Sequence, residues 1–171
     1  IGDKHVPLIH NVMNSDYVVG VSDEATNNLN LLFNTNEGKK YLKNRKGFDA
    51  DFVDRLPEFG FSSIANIIAS IKLAKKMKFK KNDAIITVAT DGADLYETEL
   101  AKTKQQFNKI YDQITCAEIF AKNFEAITVD HTLELNQIEK ERIFNLGYYT
   151  WVEQQGISLE NFEKRRNQSF W

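Results

Sequence analysis

The sequence predicts an α/β fold: a partial parallel sheet flanked by helices, followed by a helical C-terminal tail. Three observations predict it. Ala84-Ile85-Ile86-Thr87-Val88-Ala89 is an apolar, β-branched run of the kind that forms a strand buried on both faces. A shorter run of the same kind at residues 16–21 precedes it, and helical periods lie between the two, so the order is strand, helix, loop, helix, strand, helices. From residue 93 to residue 146 there is neither Gly nor Pro, and the apolar spacing is helical throughout. The expected division is an α/β portion over residues 1–96 and a helical extension over 97–171 that packs on it or on a partner subunit.

Gly2 and Pro7 make residues 1–11 a loop. Ser22 follows the first strand as an N-cap, with Asp23 and Glu24 in the first helical turn, where carboxylates complement the helix dipole. Ala25, Leu29, Leu32 and Phe33 form the apolar stripe of that helix, and Gly38 either closes it or separates it from a turn through Tyr41 and Leu42. Residues 43–59, charged and containing Gly47 and Pro57, read as an irregular surface excursion. Gly60-Phe61-Ser62-Ser63 then opens a helix whose buried stripe runs Ile64, Ile67, Ile68, Ile71, Ala74, Met77. Such an opening presents free backbone N–H groups, which serve either to hold an anion or simply to be capped by the hydroxyls.

The second strand ends at Thr90 and Asp91 and breaks at Gly92. In open parallel sheets ligands sit beyond the carboxyl ends of strands, so both residues are candidates for chemistry; an ordinary Asp-Gly turn is the alternative. The tail reads as helices over 97–111 and 113–123. A longer one follows over 132–155, its stripe Leu135, Ile138, Leu146, Tyr149 and Val152, and Ser158 caps a last short helix.

Composition removes several classes of function. The net charge is −2, and the lysines at 75, 76, 78, 80 and 81 match a helix C-terminus without an interleaved set of stacking aromatics, which argues against nucleic acid. No apolar run is long enough to span a bilayer, and the single Cys116 suits a reducing compartment, so the cytoplasm is expected. His5 and His10 are five apart, which is not a helical metal spacing. P-loop, nucleophile-elbow and dinucleotide glycine motifs are missing. The opening IGDKHVP has no initiator Met, and the expectation is a piece of a longer polypeptide.

Three stretches in order, IGDKHVP with NSDYVVGVSDEA, GFSSIANIIASIKLAKK and AIITVATDGADLY, resemble the carboxyl-terminal half of fold-type-II pyridoxal-phosphate enzymes, the group of cysteine synthase and threonine synthase. The likeness extends through YYTWVEQQG to a cysteine-synthase-like branch. It implies pyridoxal 5'-phosphate as cofactor, an amino acid as substrate, and β-elimination or β-replacement as the reaction. Thr90 matches the hydroxyl that meets the pyridine nitrogen, Gly2 the glycine loop near the reacting carbon, and Ser62 and Ser63 the segment on the active-site side of a helix. Asp91 adjoins the cofactor position, and Asp3, Lys4 and His5 stand on the substrate side where small residues are common.

A neutral hydroxyl at the ring nitrogen leaves a shallower electron sink than a carboxylate would, which suits β-chemistry over transamination. Side chains alternate along a strand, so Thr90 and Asp91 should not both face the ring. The family's cofactor-bonding lysine and its Gly-rich phosphate cradle match nothing in this chain. The resemblance therefore implies an N-terminal half of the same enzyme as partner, a homodimer when intact, and a chain that is inactive alone. The alternative is a non-catalytic α/β binding or oligomerisation module using its aromatic C-terminal helix.

Overall fold

The computed structural model describes residues 5–107 and 110–171, and its chain divides into two compact units. Among the described residues the first holds those within 19–131, and the second holds 5–18 and 132–171.

Helix α1 (Asp23–Asn34) is the centre of the first unit. Ser22 caps it as its sequence demands, accepting a hydrogen bond from the Ala25 N–H at 3.2 Å. Its apolar side chains were expected along one stripe, yet Leu29, Leu31, Leu32 and Phe33 are all buried, and so are Thr26, Asn28 and Asn30. Neighbours on several sides account for this. Helices α2 (Asn36–Asn44), α4 (Phe61–Met77), α5 (Glu97–Gln106) and α6 (Gln113–Phe120) all pack on α1. Gly38 does not end α1. It lies inside α2, where a Cβ would drive into the Leu32 carbonyl, so glycine lets the two helices approach. Thr35 links them, its hydroxyl donating to the Leu31 carbonyl and accepting from the Gly38 N–H.

Residues 43–59 are not an irregular excursion. They hold the end of α2, then α3 (Ala50–Arg55), capped by Asp49, and a short 3-10 turn at Leu56–Glu58. Val53 and Leu56 from this stretch reach the core. Cys116 is fully buried there as an apolar filler, and burial pushes its thiol up.

The parallel sheet is overturned. The described strands are β1 (Tyr17–Val19) and β2 (Thr132–Glu134), paired with each other, and they run antiparallel: the Leu135 N–H donates to the Asp16 carbonyl while the Gly20 N–H donates to the His131 carbonyl. Residues 84–90, expected as a buried strand, belong to no sheet and are mostly exposed. A strand buried on both faces needs neighbouring strands and covering helices, and among the described residues no strand pairs with it. The predominantly helical content follows.

In the second unit Val12, Phe144 and Phe162 form a small core with Met13, Ile143 and Trp151 packed against it. The helix expected over 132–155 starts later, as α7 (Gln137–Tyr148), because Asn136 caps it by accepting from the Glu139 N–H. Phe144, not Ile138 or Leu146, faces the core. Ser158 caps α8 (Leu159–Lys164) as read from the sequence.

Because α1 is enclosed, Leu29→Ala, at a side chain that is 0% exposed, should cost about 2–5 kcal/mol of unfolding free energy. Urea denaturation followed by circular dichroism measures this, and a cost below about 1 kcal/mol contradicts the enclosure of α1.

Candidate functional site

The site lies at the N-terminus of α4, fixed because Ile64 and Ile68 are buried in the same core as α1. Gly60 is the N-cap residue of α4, in extended backbone, with no side chain to offer as a cap. The two serines read as caps sit inside the first turn instead.

Ser63, 2% exposed, turns outward from the helix backbone to the returning chain: its Oγ accepts from the Thr90 N–H at 2.9 Å and lies 3.4 Å from the Thr90 Oγ1. One turn further on, Asn66 Nδ2 donates to the Val88 carbonyl at 2.9 Å. At the other end the Gly60 N–H donates to the Asp91 carbonyl at 2.8 Å. A Cβ on Gly60 would stand 2.6 Å from that oxygen, so this approach requires glycine.

These contacts also give the conformation of the returning chain. From residue 60 to residue 66 a helix rises about 9 Å. The returning chain covers the span with residues 91 to 88, which at about 3.3 Å each reach it only when extended. Residues 88–91 are therefore extended along the start of α4, held by the Asn66 and Ser63 side chains and the Gly60 N–H instead of by a ladder.

Two motifs that are 27 residues apart thus meet, Gly60-Phe61-Ser62-Ser63 and Thr90-Asp91. Thr90 is exposed, with its hydroxyl at the junction. Asp91 is half-buried and accepts a hydrogen bond from the Tyr96 phenol, whose ring stacks on Phe61 at 4.5 Å between centroids. That phenol, and next the Thr90 hydroxyl, hold the Asp91 carboxyl below its ordinary value, and the carboxylate in turn raises the Tyr96 phenol.

Ser62 is half-buried. Gly2, Asp3 and Lys4 lie outside the described residues. His5 belongs to the second unit, where its ring meets Trp151 edge-on at 5.7 Å.

Lys72 was missed by sequence reasoning. It is 6% exposed and lines a cleft of about 590 Å³ with Ser22, Lys122, Asp130 and His131. Its ammonium donates to the Gly20 carbonyl at 2.9 Å, with Asp130 at 3.7 Å. Its place one turn before a run of exposed lysines hid it, although its fall on the Ile64–Ile68 face of the helix was a usable signal. Among the described residues no group of three or more His, Cys, Asp or Glu side chains is arranged to hold a metal, and no helix is long and apolar enough to cross a membrane.

No family model, no curated protein and no solved structure matches the chain.

Asp91 contributes stability at pH values above the ordinary carboxylate range, and that contribution fades as pH falls through its lowered folded value. Tyr96→Phe should move the Asp91 titration, followed by carboxyl carbon NMR, back toward the ordinary value; an unmoved titration separates the two groups. Ser63→Ala should free the Thr90 amide to exchange and cost about 1 kcal/mol, read by hydrogen exchange and urea unfolding.

Proposed function

We propose that this chain is the carboxyl-terminal portion of a pyridoxal-phosphate-dependent enzyme that catalyses β-elimination or β-replacement on an amino acid. The observation that carries the reading is the meeting of Thr90 with the N-terminal turn of α4, since the reading requires those two separated motifs on one side of one site.

In this reading Thr90 supplies a neutral hydroxyl for the ring nitrogen, and the contact of Asp91 with the Tyr96 phenol supports Thr90 over Asp91 as the ring's partner. Ser63 orients Thr90 by accepting its N–H, and Ser62 stands beside it on the substrate side. When bound, pyridoxal phosphate supplies an electron sink at the substrate's α-carbon. Thr90 keeps the nitrogen hydrogen-bonded without adding a negative charge, which favours loss of a group at the β-carbon. The bonding lysine and the phosphate cradle come from a preceding N-terminal half, and the intact cytoplasmic enzyme works as a homodimer.

A second reading is a non-catalytic assembly module. Ile138, Leu146 and Tyr149 of the aromatic C-terminal region are exposed, which favours an interface there.

Incubation with pyridoxal phosphate, borohydride reduction and peptide mapping test the first reading. This chain alone should give no stoichiometric adduct on one lysine; such an adduct on the buried Lys72 overturns the division of labour between halves. In the polypeptide carrying both halves, Thr90→Asp should shift the cofactor absorption band and lower the β-elimination rate at least about tenfold, a barrier increase of about 1.4 kcal/mol. Unchanged spectrum and rate remove Thr90 from the site.

A further inference from the structure

Lys72 is a buried cation with donors to spare. It lies about 13 Å beyond Ser63 along the axis of α4, apart from the site described above. Its side chain is 7% exposed. An ammonium carries three N–H donors, of which one goes to the Gly20 carbonyl at 2.9 Å, and Asp130 at 3.7 Å is beyond hydrogen-bond reach. Among the described residues no other group accepts from it. The Asp130 carboxylate is instead engaged by the Thr128 hydroxyl and is largely open to solvent. A buried charge is favourable only where hydrogen bonds and opposite charge compensate it, so the remaining donors call for an acceptor that these residues do not supply. Gly20 and Asp130, on either side of the ammonium, both line the cleft of about 590 Å³, an ordinary size for a small-molecule site.

We propose that this cleft binds a small monocarboxylic acid, its carboxylate accepting from the Lys72 ammonium and its hydrocarbon body lying on Val21, Ala25, Ile68 and Ile127. Those four side chains give the cleft an apolar wall. Lys122 also lines it, but Glu24 offsets that charge at 2.6 Å, which leaves Lys72 as the lysine of the cleft without a matched partner. The sign of the ligand follows from this cation. Asp130 limits its charge, because a carboxylate 3.7 Å from the same ammonium repels a dianion such as phosphate more strongly than a monoanion. The binding uses no residue of the Thr90 site and no cofactor, so it stands or falls apart from the reading above.

Hexanoate titrated into the purified chain at neutral pH should shift the NMR signals of the Val21, Ala25 and Ile127 amides with a Kd of about 1 mM, the range open to so small a ligand. Hexanol, which has the same body without the charge, and inorganic phosphate, which has charge without the body, should each bind at least about tenfold more weakly. Lys72→Met keeps the apolar stem and removes the ammonium, and should weaken hexanoate at least about tenfold. Asp130→Asn, at an exposed position, should tighten it several-fold, whereas a Lys72 that serves only as a structural partner of Asp130 gives no such gain. Absence of shifts at those amides up to about 20 mM hexanoate overturns the proposal. So does phosphate or hexanol binding as tightly as hexanoate, an Asp130→Asn chain that binds no tighter, or a folded Lys72→Met chain with unchanged affinity; the first three results are independent of how Lys72→Met folds.

Discussion

The enclosure of α1 is the constraint on which the first unit depends. A helix covered by several others cannot keep a solvated face, so its polar residues must be satisfied from within. Asn34 Nδ2 donates to both the carbonyl and the side-chain oxygen of Asn30, and Thr26 donates to the Asp23 carbonyl. The tight approach at Gly38 is the geometric counterpart of this crowding. Because Ile64 and Ile68 anchor α4 in the same core, the start of α4 is held by the centre of the unit, and whatever Gly60 and Ser63 hold is held by the core too.

What they hold is a length of chain that would otherwise have no reason to be extended. A strand draws its stability from cross-strand pairs and buried faces, and residues 84–90 have neither. Three polar contacts from the first two turns of α4 replace the ladder at one end. The Asp91 carboxylate accepts from the Tyr96 phenol and is held low by the Thr90 hydroxyl as well, so Thr90, Asp91 and Tyr96 form one polar cluster beside Ser63.

Features governed by local chemistry were legible in the sequence. The caps at Ser22 and Ser158 and the helical stripe through Ile64 and Ile68 depend on neighbours within a turn, and each is in place. The meeting of Ser63 with Thr90 was not legible, since no periodicity ties residues 27 apart. Apolar runs misled where they report an affinity for burial without reporting whether the chain supplies a cover. Ile86 has the composition of a core residue and stands in solvent. Caps outside the Ser pattern were overlooked at Asp49 and Asn136, so α3 was read as loop and the start of α7 was placed too early. Lys72 was hidden by type, because lysine is so rarely buried that its position on an apolar face was discounted.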